Sequence, residues 1–504
     1  MEQILNITFP LITDEGQQNI LNKKLRVAAN IYNDMLDYEL KKYRHMTLSK
    51  EWQKANKVLE KFFSTPEGEA YKADKKGKKL PDDVKAVYEY RNQMYKDFGF
   101  SKFSFIGDVK RFTERFQSVI PSKMASCTIA ERMWAAFDKM LFGNGKTVHF
   151  AKVRDFNSLV TDGKSGMRLL KDEKGYYLFF SNRKAHAKEY KIRLKSPETD
   201  YDEVVLREVE KGNLRLIRVL RKKEKGKDHF YCQLTVSMKP YEKLDTDGKP
   251  KHQYGAGRVG LNIWRDCVAA VSEHEVKYFD LAPDREQHLS KVKALTKELE
   301  EIRRKNNPDN YNENGTVKNG IVVNGKRQRL RWNNTYQYKQ LRKCLAEEYR
   351  IYAENLKLYQ RHLVYELLKM GDEFVLYDTS SYITKKLEYD EETRLSNAEY
   401  KKKKDRRRSI EHNAPSQFLS YLDTKLALLD LPVIHRIKVP EHLYWYRHDK
   451  CNSDKSYLSE QEVMIQGVCI NQTIYRAFLI LNYNYKGKYF NDMSDSFDKF
   501  IEKL

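Results

Sequence analysis

Near the N-terminus Leu5, Ile7 and Phe9 alternate with Asn6 and Thr8, the period-two pattern of a strand with one buried face. From about Glu15 to Lys61 the spacing turns helical. Leu25, Ala28, Ala29, Tyr32, Met35, Leu36 and Leu40 form one apolar stripe. The lysine-rich stretch 71–80 reads as a solvated loop, and helices are predicted at about 82–97, 105–117 and 121–141.

From about 147 to 240 the texture changes to short β-prone runs, TVHFAKV, GYYLFFS, EVVLREV, LRLIRVLRK and HFYCQLTVSM, separated by Gly, Lys and Asp. With the first strand they predict a β-barrel, and the helices between become an inserted lobe. Phe230, Cys232, Leu234 and Val236 alternate with wetter neighbours. The polar, glycine-bearing stretch 243–258 reads as a linker, and VGLNIWRDCVAAVS after it as strand, turn and strand.

Two long helices follow, 285–305 on Leu289, Val292, Leu295, Leu299 and Ile302, and 334–370 on Leu341, Leu345, Tyr349, Tyr352, Leu356, Tyr359 and Leu363. Then come a strand EFVLYD (373–378), a helix at 414–429, a strand VIHRIKV (433–439) and a helix carrying Ile474, Tyr475, Phe478 and Leu479. Strands alternating with helices predict an α/β layer around a mixed sheet. No period of about 20–50 residues marks a repeat architecture.

The 504 residues allow two to four domains. Lys and Arg total 94 against 71 Asp and Glu, a formal charge of +23, and aromatics make up 12% with 34 tyrosines. A cationic surface displaces counterions condensed on phosphate, and aromatic rings stack on unpaired bases, so the balance points to nucleic acid. Six cysteines without CxxC spacing give neither a disulfide framework nor a complete zinc site. With no signal-peptide pattern and no run of about 18 apolar residues, a cytoplasmic protein without a membrane span is expected.

VGLNIWRDCVAAVS resembles the first RuvC motif of transposon-encoded TnpB proteins and of the miniature type V-F CRISPR effectors. NPDNY (307–311), APSQFLSYLDTKL (414–426), KSYLS (455–459) and NQTIYRAFLILN (471–482) follow in family order. IYNDMLDYELKKY (31–43) and FGFSKFSF (98–105) are similar to the family's N-terminal helices. The resemblance implies a multidomain α+β chain: a wedge β-barrel from 1–14 and 146–242, a helical recognition lobe at 15–145 and the linker 243–258. A RuvC-like domain of RNase H fold with inserted helices is then expected at 259–440, a degenerate zinc-ribbon or target-binding segment at 441–470, and a RuvC-like helix and tail at 471–504. It also implies guide RNA and target double-stranded DNA as partners, with a short flanking DNA motif read by protein.

RuvC chemistry needs carboxylates converging on two divalent metals. At the positions matching the family's pattern, the first is Asn262, and the third is Thr473, preceded by Gln472 where the pattern has arginine. The second falls on Tyr377 or, one register step later, on Asp378. Losing anionic ligands leaves metal–phosphate repulsion uncompensated, so a degenerate site and no nuclease activity are expected, with Asp266 or Asp280 as substitutes under the rival alignment. Cys451 and Cys469 with His442 and His448 give H-x5-H-x2-C-x17-C, which is no recognised zinc pattern; a loop without zinc is expected. No cofactor beyond the guide RNA is needed for binding, and magnesium enters only for RNA folding.

Lys401, Lys402, Lys403, Lys404, Arg406, Arg407 and Arg408 form one basic run, with Arg303, Arg304, Lys326, Arg327, Arg329 and Arg331 as further clusters. Within the resemblance these are expected to contact guide RNA or heteroduplex by backbone and shape. Readout of the flanking motif is assigned to Tyr32, Asn33, Ser126 and Thr128. The expected function is guide-dependent DNA binding without cleavage in the bacterial cytoplasm and nucleoid, as monomer or homodimer. It would regulate transcription by occupancy or by recruiting RNA polymerase or a sigma factor. The alternatives are an active nuclease with a shifted metal site and an RNA-binding protein that never opens DNA.

Overall fold

The computed structural model describes residues 3–73, 80–120, 122–143, 145–180, 190–239, 241, 247, 254–264, 266–323, 326–377, 409–437, 456–457, 462–465, 467–482 and 494–504. The chain divides into two compact units, Met1–Lys239 and Pro240–Leu504.

In the first unit the opening strand β1 (Gln3–Ile12) buries Ile7, Phe9 and Leu11 on one face, as the alternation predicts. The helical stretch is two helices, α1 (Glu15–Leu48) and α2 (Lys50–Phe63), because Ser49 has extended backbone and caps the second. The predicted stripe is buried in α1 except Leu40, which is half-buried; Glu39 is fully buried beside it. Helices α3 (Pro66–Ala73), α4 (Asp82–Asp97), α5 (Lys102–Thr113) and α6 (Lys123–Leu141) complete the helical part.

Two of the five β-prone runs differ from expectation. TVHFAKV is not a strand: it ends in a single 3-10 turn at Val153–Asp155. EVVLREV lies within helix α7 (Asp200–Glu210), where Thr199 and Asp202 form a capping box and Asp200, Asp202 and Glu203 fill the first turn. Capping and the positive helix start override the β preference of adjacent valines.

Strands β2 (Ser158–Thr161), β3 (Met167–Asp172), β4 (Gly175–Phe180), β5 (Tyr190–Leu194), β6 (Leu214–Glu224) and β7 (Lys227–Met238) join β1 in one sheet of order β2-β6-β7-β1-β5-β4-β3. The first strand therefore lies centrally, between β7 and β5, and does not close an edge. Pro10, which lacks an N–H, sits where β1 passes from pairing with β7 to pairing with β5.

The second unit is a layered α/β fold. Strands β8 (Arg258–Ile263), β9 (Cys267–Ser272) and β10 (Val276–Asp280) form a meander, and helices α8 (Arg285–Asn306) and α9 (Tyr336–Leu368) flank a short hairpin, β11 (Ile321–Val323) and β12 (Lys326–Gln328). Strand β13 (Glu373–Tyr377), helix α10 (Pro415–Leu428) and strand β14 (His435–Ile437) follow. The sheet order is β10-β9-β8-β13-β14, with β13 parallel to both β8 and β14 and the first two pairs antiparallel. A small sheet of β15 (Ser456–Tyr457), β16 (Glu462–Ile465) and β17 (Val468–Asn471) leads into α11 (Gln472–Leu481), and α12 (Ser494–Ile501) lies near the end.

Each face of the five-stranded sheet has its own core. Val259, Leu261, Ile263, Phe374 and Leu376 pack with α9 and α10 through Leu363, Leu367, Phe418 and Leu422. Ala269, Val271, Val375 and Ile437 pack with α11 and α12 through Tyr475, Phe478, Phe497 and Phe500. The sequence pattern predicts this layering; β10 and α12, too short for a periodic signal, it misses. Among the described residues no helix is long and apolar enough to cross a membrane.

Candidate functional site

The central strand β8 brings the motif positions together. A side chain at Gly260 would place its Cβ 2.3 Å from the Ala477 carbonyl oxygen and 2.5 Å from the Leu481 nitrogen, so glycine lets the α11 backbone lie directly on the strand. Two residues on, Asn262 is 4% exposed. It stands opposite Ala269, on the α11 side of the sheet. Its Nδ2 donates to the main-chain carbonyl of Thr473 at 3.1 Å.

Thr473 lies in the first turn of α11, where its N–H donates to the capping Asn471 Oδ1 at 2.8 Å. Tyr377 ends β13 one residue past the last pair with β8, Leu376 with Leu261, and packs on the same α11 side. Three positions separated by up to about 200 residues in the sequence thus meet at one end of a helix–strand joint, and they carry amide, phenol and hydroxyl groups. Asp378 lies outside the described residues.

Two acids, Asp266 and Asp280, lie beside Cys267. Cys267 is buried on β9 beside Asp266, and burial pushes its thiol up to about 11. Asp280 faces Cys267 across the β9–β10 pair. Burial, the Cys267 contact and the negative charges of Asp266 and Asp280 together raise the Tyr278 hydroxyl. Among the described residues no group of three or more His, Cys, Asp or Glu is arranged to hold a metal. Cys469 is exposed on β17; His442, His448 and Cys451 fall outside the described residues.

The basic candidates divide by what they touch. Arg303 lies 3.6 Å from the Trp332 ring centre and pairs with Glu300 at 3.8 Å, while Arg304 sits over Tyr311 and donates to the Gly315 carbonyl at 3.2 Å. Arg329 and Arg331 are exposed. Lys326 and Arg327 belong to β12, but their side chains, like the whole run Lys401–Arg408, are outside the described residues.

In the first unit Tyr32 is buried and packs on Phe156. Asn33 exchanges two hydrogen bonds with the Ala151 backbone, at 2.9 and 2.8 Å. Buried Ser126 donates to the Ser122 carbonyl at 3.4 Å, and Thr128 to the Ala125 carbonyl at 2.9 Å. Tyr32 and Asn33 thus tie α1 to the segment 151–156, while Ser126 and Thr128 bond back to the start of α6.

Sequence reasoning missed Gly260, Cys267, Tyr278 and Trp332. Only Gly260 carried a local signal, a glycine inside a buried strand run, which marks close backbone approach.

No family model and no curated protein matches the chain. A chain of a solved structure titled "Cryo-EM structure of the Cas12f1-sgRNA-target DNA complex" is similar at 10% identity, covering 95% of this chain and 98% of that one with a TM-score of 0.42. Another, titled "Cryo-EM structure of CRISPR-Cas12f Ternary Complex", is 12% identical, covering 94% and 83% with a TM-score of 0.26. These structural neighbours are Cas12f complexes. Likeness at such values does not carry function across.

Proposed function

We propose that the chain is an RNA-guided DNA-binding protein that does not cut DNA, and that it acts on transcription by staying bound at a guide-matched site. One observation carries the reading: where a RuvC-type centre needs converging carboxylates, this chain has a buried neutral amide at Asn262, whose Nδ2 donates to the Thr473 carbonyl. An amide in that bond has no charge to offer a hard divalent cation, and a threonine hydroxyl adds none. The amide of Asn262 and the hydroxyl of Thr473 do not supply the negative charge that a pair of magnesium ions needs.

The remaining features suit occupancy. A formal charge of +23 and abundant aromatics favour phosphate and unpaired bases over an uncharged partner. Guided recognition leaves sequence reading to base pairing, so the protein needs cations and shape complementarity and no nuclease. A bound R-loop blocks RNA polymerase, and recruitment of polymerase or a sigma factor is the other outcome of the same occupancy.

A second reading, a relocated metal site, draws on Asp266 and Asp280 beside Cys267 and Tyr278. Two assays separate the readings. Purified chain with its copurifying RNA should protect guide-matched duplex from footprinting and leave plasmid intact in magnesium or manganese. Cleavage that is lost in Asp266→Asn or Asp280→Asn establishes the second reading instead.

A further inference from the structure

At the far end of α8 the chain passes through NPDNY, the hairpin β11–β12 and the stretch RLRWNN before entering α9. Asn307, Asn310 and Tyr311 are buried there, at 8%, 5% and 8% exposure. Burial of such polar groups in a connecting segment requires partners, and each has them. Asn307 Oδ1 accepts from the Asn333 N–H at 2.6 Å, while its Nδ2 donates to the Arg303 carbonyl at 2.9 Å and the Asn333 carbonyl at 3.2 Å. Asn310 Nδ2 donates to the Arg331 carbonyl at 2.7 Å, and Tyr311 donates to Glu300 at 3.0 Å.

The two asparagines thus fasten the backbone at Arg331 and Asn333 to the end of α8. Beneath it Trp332 is clamped between the Arg303 guanidinium at 3.6 Å and the edge of Tyr311 at 6.0 Å. Exposure alternates along Arg329, Leu330, Arg331 and Trp332. The two arginines therefore share the outward side while leucine and tryptophan turn inward. Residues two apart along a chain are separated by at most about 7 Å, comparable to successive phosphates along one nucleic-acid strand.

We infer that this asparagine knot is a positioning device for a two-arginine phosphate clamp, with Arg329 and Arg331 as the contacts and Arg303 and Arg304 as its supports. The clamp's partner is the phosphate backbone of the guide–target duplex, gripped without regard to sequence. The inference rests on the proposed RNA-guided function for the identity of that duplex. Planar guanidinium groups bind phosphate through paired N–H donors, so holding two of them in register favours consecutive phosphates. It also changes what the sequence clusters mean, since two of the arginines serve the fold and two serve the ligand.

The test is a salt series of full-length chain binding to a blunt RNA–DNA hybrid duplex, which needs no guide loading. Removing two phosphate contacts with Arg329→Ala/Arg331→Ala should lower the slope of log K against log salt by about 1.5 to 2, with unchanged thermal melting because both residues are exposed. Removing the same charge from exposed positions on α8, with Lys291→Ala/Lys293→Ala, should lower it by less than half as much. Asn310→Leu keeps side-chain size, adds no charge and removes the donor to Arg331; it should also lower the slope, by about 1, although it removes no cation from the clamp. An unchanged slope in the arginine variant, an equal loss in the lysine control, or a wild-type slope in Asn310→Leu would each overturn the inference. Failure of guide-matched footprinting would instead count against the proposed function and leave these slopes as they are.

Discussion

Replacing Asn262 by aspartate supplies the acid that the proposed RuvC reading finds missing, and the structure predicts that it weakens the protein instead. The amide is 4% exposed and donates to the Thr473 carbonyl at 3.1 Å. An ionised carboxylate cannot donate, so two oxygens would face each other in a buried joint. Exchanging that hydrogen bond for a carboxylate set against a carbonyl oxygen costs about 1–3 kcal/mol, with the desolvated charge in addition. For a unit spanning Pro240–Leu504 this is a fall in Tm of roughly 2–10 °C. The sign with pH follows from protonation, because a neutral carboxyl still donates through its O–H. Burial raises the introduced group's folded pKa above about 3.9, so the loss is small near pH 5 and grows as pH rises toward 8. Thermal melts of the full chain with Asn262→Asp across that range, with calorimetric titration of manganese at pH 8, provide the assay. A variant as stable as the parent at pH 8 that also binds manganese would refute the reasoning.

Further outcomes follow from other contacts. Gly260→Ala puts a methyl group 2.3 Å from the Ala477 carbonyl oxygen, and chemical denaturation should show a loss of at least about 1–3 kcal/mol; an unchanged midpoint would mean that α11 does not lie on β8 as described. Glu39 is fully buried, and burial lifts its carboxyl from 4.5 to about 7 despite Lys42 at 2.6 Å. The native state then holds the extra proton between those values, so stability falls as pH rises through this window. Glu39→Gln should match the parent near pH 5 and exceed it near pH 8 by up to about 3 kcal/mol, a gain that melts at the two pH values will show or exclude. Neutralising the cations of Lys401–Arg408 should weaken RNA binding and flatten its salt dependence, as filter binding in a salt series would reveal; an unchanged slope would make the run a solvated face.

How much of this was legible beforehand depends on the range of the interaction. The layered second unit announces itself because its helices are long and amphipathic and its strands are apolar runs, and both signals are local. The motif positions Asn262 and Thr473 were also legible, yet their hydrogen bond was not: nothing local tells that an amide in β8 will meet a carbonyl 211 residues later. EVVLREV misled because adjacent valines favour a strand, whereas the Thr199–Asp202 capping box lies at the edge of the run and decides for helix. Arg303 and Arg329 look alike as letters. Only packing separates the one stacked on Trp332 from the one left exposed.

Binding without cutting is tested by a single plasmid assay. Purified chain with its copurified RNA is incubated in magnesium with supercoiled plasmid carrying either the guide-matched site or a mismatched one, and protection and strand integrity are read from the same samples. The account predicts guide-dependent protection of the matched plasmid with both strands intact. Nicked or linear product that depends on the guide, or protection indifferent to the match, would contradict it.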